Sequence, residues 1–596
     1  MSVAWLRGPP LPPPRHATLT AALRSAAQGE VGLTFLDVRE EARSLPFREL
    51  HQRAAAAAWS LRERGVLPGD RVALILPTGV DFMDAFFGAL LAGAVPVPLY
   101  PPVRLGRLAE YHRRTSALLK ASGARVLLTD ARIGRLLGVA VESARPDLGS
   151  LTVAALLSKS RGTFEHAASP AELALIQFSS GTTVEPKPVA LTHANVLANV
   201  AAIDTFLPEG GPIKQAGVSW LPLYHDMGLI GCLLSAVLHP GQLTLLPPEA
   251  FLARPALWLR AISRAKATIS VAPNFAFGLC VKRIRDQDLE GVDLSSWKLA
   301  LNGAEPISPD VLRRFADRFS KWGFDPRALT PVYGLSEASL AVTFAPPGRP
   351  FRSRPAPGAA ARELVSVGVP VPGTEVRIGG DGPEGQAGLA GAAAGTDRGT
   401  LEEGQVGRVL VRGPSVMAGY FERAAATAAA IEDGWLDTGD LGLIEGGELF
   451  LCGRAKDLVI LRGKNHSPQE FEEALDGVPG LRAGCAAAVG TTPQGRDGEE
   501  LIVLAEVDEA APRAPAELTA EIRGRVLERT GVDPFEIKLL APGTLPRTSS
   551  GKLRRGEALR QLLGGELAAP KSVTLLGIGG EMARSLAAYA RVKLPL

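Results

Sequence analysis

Three consecutive stretches, RVALILP (Arg71 to Pro77), DFMDAFFGALLAG (Asp81 to Gly93) and VPVPLY (Val95 to Tyr100), read as a strand, a helix and a second strand. The flanking segments are short apolar runs closed by proline, and the middle one is long enough for a helix. The apolar run from Ala85 to Tyr100 is too short to cross a bilayer and is broken by Gly88, Gly93, Pro96 and Pro98, so it reads as a buried helix followed by a strand. A strand-helix-strand unit returns on itself by a right-handed crossover, and its repetition predicts an α/β chain with largely parallel sheets.

The rest of the sequence agrees with a folded, water-facing protein. Its 596 residues correspond to about four domain equivalents, or to two large lobes. The 65 Lys and Arg against 62 Asp and Glu leave +3, too little for a field that captures nucleic acid or an anionic membrane. With 46% apolar and 21% charged residues, wholesale disorder is excluded. Cys232, Cys280, Cys452 and Cys485 form neither a CxxC pair nor a metal-ligand cluster, which predicts no disulfide framework and a reducing compartment. Pro9, Pro10, Pro12, Pro13 and Pro14 stand where a signal peptide needs an apolar run, so a cytoplasmic location is expected. Gly379 to Gly399 has no periodicity and reads as a long surface loop. After Asp457 the pattern restarts on a smaller scale, with LVIL (Leu458 to Leu461), a helix from Pro468 to Leu475, LIVLAEV (Leu501 to Val507) and a helix near Pro515 to Thr530. Met582, Leu586, Tyr589 and Val592 recur at helical spacing in the tail, which predicts a helix packed on the body.

Five segments carry chemistry. LIQFSSGTTVEPKPVALTHANV (Leu175 to Val196) runs from a strand into Ser179, Ser180, Gly181, Thr182, Thr183 and then Lys187. Small residues let backbone donors approach phosphate oxygens, although such a loop is by itself as well read as a solvated turn. In SWLPLYHDMGLIGCLL (Ser219 to Leu234), His225 and Asp226 either cap a helix or face a ligand, and no GxSxG elbow exists to supply a hydrolase nucleophile. LNGAEPIS (Leu301 to Ser308) and PVYGLSEASLAVTF (Pro331 to Phe344) each end a strand with a carboxylate, Glu305 and Glu337; Tyr333 offers a flat face to a base, and Glu337 can hold a magnesium ion. GWLDTGDLG (Gly434 to Gly442) and FLCGRAKDLVILRGKNHSPQEFEEAL (Phe450 to Leu475) set Asp440 and Arg454 fourteen residues apart across a predicted hairpin, a carboxylate and a guanidinium suited to ribose and phosphate. LPRTSSGKLRR (Leu545 to Arg555) puts Lys552 in a glycine-flanked loop.

In this order, over nearly 400 residues, the segments resemble the core motifs of the adenylate-forming superfamily of acyl-CoA synthetases, adenylation domains and luciferases. Within it, GAVPVPLYPP, WLPLYHDMGLIG, APNFAFGLC, YGLSEASLAVTF and RGKNHSPQEFEE are most similar to the fatty acyl-AMP ligases. The resemblance runs from about Leu33 to Leu563. It implies a large N-terminal adenylation domain of sheets packed with helices (1–455), a small mobile α+β C-terminal lid (456–565) and a tail (566–596), with the hinge at Lys456.

The resemblance also implies roles. Ser179 to Thr183 and Lys187 would form the phosphate loop, and Glu337 would bind magnesium. Gly303, Ala304, Glu305 and Tyr333 would frame adenine, with Gly334 and Ser336 in the same nucleotide site. Asp440 would hold the ribose and Arg454 ribose or phosphate. His225 and Asp226 would lie near the adenylate, and Lys552 would bridge the substrate carboxylate and the α-phosphate. Candidates for an acyl pocket are Met227, Leu229, Ile230, Leu233, Phe275 and Phe277. The implied activity is ATP- and magnesium-dependent formation of a fatty acyl-adenylate, then acyl transfer to the phosphopantetheine thiol of an acyl carrier protein. The alternatives are an acyl-CoA synthetase, an amino-acid adenylation domain and a non-catalytic acyl- or carrier-binding homologue. Val184 and Pro188 depart from the family's loop, and Pro188 removes a backbone donor.

Overall fold

The computed structural model describes residues 2–102, 107–179, 186–207, 215–357, 359–380, 399–461, 464–493, 498–548, 551–570 and 575–592. Most of the glycine-rich loop expected at Gly379 to Gly399 lies outside them.

The opening unit forms as read. Strands Arg71–Ile75 and Val95–Leu99 pair in parallel, and Ala124–Thr129 and Ser150–Thr152 extend the sheet in the same sense. Helix Val80–Leu91 buries every residue but Asp81. Helix Phe47–Glu63 crosses it closely at Gly88, where an added Cβ would meet the Ala57 Cβ at 2.6 Å.

A larger sheet contains the parallel strands Gly32–Leu36, Gln242–Leu245, Ala216–Ser219, Ile269–Pro273, Leu299–Gly303 and Leu329–Gly334. From Ala341–Phe344 onward the pairing turns antiparallel, through Ala359–Pro370, Glu448–Arg454, Trp435–Glu445, Gly407–Arg412 and Glu375–Gly379. The expectation of largely parallel sheets therefore holds for only part of the chain. Its physical reason is connection length: Gly446 and Gly447, at φ 58° and 78°, close a hairpin too tight for a crossover. A third sheet pairs Leu173–Phe178, Pro188–Thr192 and Gly419–Tyr420.

Beyond Val459 the chain builds on its own apolar clusters, one around Phe471, Val503 and Ile522 and another around Leu504, Leu545 and Ala558. Strands Leu481–Thr491, Glu500–Val507 and Glu536–Leu540 form its sheet, flanked by helices Pro468–Glu473, Pro515–Thr530 and Arg555–Leu563. The tail helix Leu575–Val592 packs on helix Ala131–Ala144 of the opening unit. Ser585 Oγ accepts from the Gly138 N–H at 2.6 Å, and Tyr589, buried, donates to the Gly134 carbonyl at 3.2 Å. Among the described residues no helix is long and apolar enough to cross a membrane, and all four cysteines are free.

Candidate active site

Where the ends of the parallel strands meet the C-terminal unit, a cavity of about 330 Å³ opens. Ser179, Lys187, Asp226, Ala304, Tyr333, Gly334, Ser336, Glu337, Arg454, Lys456 and Lys552 line it, from segments up to 373 residues apart (552 − 179). The lining also includes apolar side chains, Ile203, Met227, Val271, Leu301, Leu340 and Phe344.

Local geometry fixes the polar face. Asp440 and Arg454 are direct partners across the hairpin, with Arg454 Nε 3.1 Å from Asp440 Oδ1. Tyr333, at the end of its strand, donates to Asp440 Oδ2 at 2.6 Å. The Asp226 carboxylate accepts from Ser336 Oγ at 2.6 Å and from the Met227 N–H at 2.8 Å. Tyr420 donates to Glu337 Oε1 at 2.9 Å, and the Lys187 ammonium stands 4.6 Å from the Tyr420 ring centre. Ala304, immediately after the strand Leu299–Gly303, sits at φ 69°, a strained backbone at the cavity rim. Gly334 is required by space, since a Cβ there would lie 1.8 Å from the Leu340 carbonyl oxygen.

The segment after Asp226 is π-helical, Met227–Leu234, a rare form found mostly at functional sites. It corrects part of the expected acyl pocket. Met227 and Gly231 face the cavity, whereas Leu229, Ile230 and Leu233 are fully buried in the apolar core behind. A helix apolar on every side does not disclose in sequence which face meets the ligand. Phe277 is likewise core, with its ring 4.9 Å from Phe315, and Phe275 is 38% exposed, edge-on to Trp220. The Phe275 N–H donates to Glu305 Oε1 at 2.5 Å, so that Glu305 caps the start of helix Asn274–Arg283 beside the cavity. Ser180, Gly181, Thr182 and Thr183 lie outside the described residues. Gly303 and Asp440 back the lining without forming it. His225 precedes Asp226, its basicity pushed down to about 4 by burial, with Lys552 adding to the effect and Asp226 opposing it.

Sequence reasoning missed Tyr420, Arg408 and Asp437 on the polar side and most of the apolar wall. Arg408 Nη2 pairs with Asp437 Oδ2 at 2.8 Å at the cavity edge. Tyr420 follows Gly419 in a two-residue strand with no motif spacing to mark it.

The electrostatics suit a polyanion. Desolvation pushes the Lys552 ammonium below the ordinary lysine value and Arg454 pushes it further, while Asp226, Glu305 and Asp440 oppose the shift. Desolvation also raises Glu337 and Glu305 above ordinary carboxylates. Two cations that disfavour each other in one cleft gain most from an anion placed between them. Among the described residues no group of three or more His, Cys, Asp or Glu could cage a metal ion. A lone carboxylate, Glu337, with one oxygen held by Tyr420 fits magnesium, which characteristically takes one or two carboxylates together with substrate phosphates.

A cleft lined this way, set at the strand ends, suits an adenylate-forming enzyme. Residues 23–421 match the AMP-binding enzyme family, and the chain belongs to it. It is 36% identical to a Caulobacter vibrioides protein described as "Putative acyl-CoA synthetase", over 92% of this chain and 96% of that one. It is 33% identical to the long-chain-fatty-acid–AMP ligase FadD26 of Mycobacterium bovis, over 88% and 92%. A structure from a study of fatty acyl-adenylate ligases of E. coli and L. pneumophila superposes with a TM-score of 0.84 at 33% identity, covering 93% of this chain and 99% of that one.

Proposed function

We propose that this protein joins a medium- or long-chain fatty acid to AMP at the expense of ATP, then passes the acyl group to the phosphopantetheine thiol of an acyl carrier protein. The observation that carries this reading is a single cavity lined both by Lys552, Arg454 and Glu337 and by Ile203, Val271, Leu301, Leu340 and Phe344.

The chemical difficulty is electrostatic. A carboxylate must approach the α-phosphorus of a polyanion, and each unit-charge pair at about 4 Å costs on the order of 4 kcal/mol at an effective dielectric of 20. Lys552 offsets that repulsion at the reacting carboxylate, and Lys187 and Arg454 do so along the phosphates. Asp440, aligned by Tyr333 and Arg454, accepts from ribose hydroxyls. Glu337 would hold magnesium, which supplies charge neutralisation to the phosphates when bound. The carboxylate oxygen bonds to the α-phosphorus as the bond to the bridging oxygen breaks, and pyrophosphate leaves. In the second step the thiol sulfur bonds to the acyl carbon and AMP departs. Apolar walls favour the chain by roughly 0.8 kcal/mol per buried methylene and exclude water from the mixed anhydride.

In this reading residues 456–565 act as a lid hinged at Lys456, and Ser179 with the loop after it binds phosphate. Free cysteines and the need for ATP support a cytoplasmic setting. The name of the Caulobacter relative favours a second reading, an acyl-CoA synthetase. Incubation with ATP, magnesium and dodecanoate, with either coenzyme A or a phosphopantetheinylated carrier protein, separates the two by mass spectrometry. Dodecanoyl-AMP and acylated carrier are expected; dodecanoyl-CoA as the main product overturns the carrier reading, and no adenylate overturns both.

A further inference from the structure

Arg107 stands at the start of helix Leu108–Ala121 in the opening unit, far in sequence from the cavity-lining lysine. Its side chain is only 19% exposed, and it reaches across to the C-terminal unit. Its Nη2 donates to the carbonyl oxygens of Gly543 at 3.1 Å, Thr544 at 3.2 Å and Ala568 at 3.3 Å. Gly543 and Thr544 lead directly into the hairpin that carries Lys552. The described residues of that hairpin are bonded across it: the Thr548 N–H donates to the Lys552 carbonyl at 2.8 Å, the Arg554 N–H to the Pro546 carbonyl at 3.0 Å, and the Lys552 N–H to Thr548 Oγ1 at 3.0 Å. Its base is fixed to its own sheet by the Leu545 N–H, which donates to Glu506 Oε1 at 2.9 Å.

We propose that Arg107 is a positioning residue for adenylate formation: by holding the Gly543 and Thr544 carbonyls at the base of this hairpin, and the Ala568 carbonyl beyond the following helix, it keeps the Lys552 ammonium in the cavity. The inference rests on the role given to Lys552 above. Charge-assisted hydrogen bonds to carbonyls resist displacement, and a loop bonded across itself passes movement of its base to Lys552. Arg107 touches none of the groups assigned to ATP, so its loss moves Lys552 and leaves Asp440, Tyr333 and Arg454 in place.

Arg107→Ala and Arg107→Lys are compared with the parent in dodecanoyl-AMP formation, followed by pyrophosphate release at saturating and limiting ATP. Arg107→Ala is expected to lower kcat by about tenfold, within the hundredfold that a misplacement of about 1 Å can cost, while the KM for ATP stays within about twofold. Arg107→Lys, which keeps a charged donor, is expected to recover most of the rate. A kcat unchanged in Arg107→Ala overturns the inference, as does a loss shared by KM or one that lysine does not recover. A parent that forms no adenylate overturns the function on which the inference stands; an active parent matched by Arg107→Ala overturns the inference alone.

Discussion

The Tyr420 hydroxyl holds one oxygen of the Glu337 carboxylate while the Tyr420 ring lies under the Lys187 ammonium. One aromatic side chain thus aligns the anion proposed to hold magnesium and the cation proposed to meet phosphate. The hydrogen bond favours the ionised carboxylate against the burial that raises its pKa. Removing it in Tyr420→Phe shifts Glu337 further upward, so the acid limb of adenylate formation should move to higher pH. A profile of kcat between pH 5 and 8 checks this; an unmoved limb refutes the assignment of Glu337 to that limb.

Lys552→Ala should slow adenylate formation by about two to three decades, the scale of losing one transition-state donor. Because desolvation and Arg454 lower its pKa, the charged form is lost at a lower pH than for an exposed lysine. The parent rate should therefore fall on the basic side, and Lys552→Arg should be slower but free of that fall. Rapid-quench measurement of dodecanoyl-AMP across the basic range reads both.

His193 is buried, and its Nδ1 accepts from the Leu19 N–H at 3.1 Å. Burial pushes its pKa down to about 4. The unfolded chain, titrating near 6.5, binds the proton first, so His193 adds stability that is complete above 6.5 and lost as pH falls toward 4. The slope is at most about 1.4 kcal/mol per pH unit for one proton. His193→Gln should flatten the acid side of a urea-stability profile by that amount, and an unchanged slope counts against a neutral buried imidazole.

A Cβ at Gly138 would meet the Ser585 carbonyl oxygen at 2.0 Å. Gly138→Val should displace the tail helix and abolish hydrogen-exchange protection over Leu575–Val592 while leaving the protection of Arg71–Ile75 intact. Retained protection in the tail would show that the helix docks in another way.

Much of this molecule is legible in its sequence where periodicity or turn chemistry is strong. The segment RVALILP to VPVPLY, the helix Pro515–Thr530 and the Asp440–Arg454 hairpin follow from apolar spacing and glycine placement. The same cues fail where tertiary packing chooses a face. Leu229 and Met227 are equally apolar and lie two positions apart, yet one is core and the other cavity wall, because a π-helical turn sets their directions. Tyr420 was illegible for a related reason: it joins the site by pairing with the strand Pro188–Thr192, which is distant in sequence. Arg107, whose carbonyl partners lie 436 to 461 residues away, gives no sign of them in the sequence around it.

Because the tail helix is bolted to the opening unit by Ser585 and Tyr589, the C-terminal unit is leashed at both of its ends. Between the helices Arg555–Leu563 and Leu575–Val592 run eleven residues, 564 to 574. Fully drawn out, they reach at most roughly 40 Å. The end of the helix Arg555–Leu563 can therefore lie no farther than that from the start of the tail helix, so shortening or lengthening the leash would retune the reach open to the proposed lid.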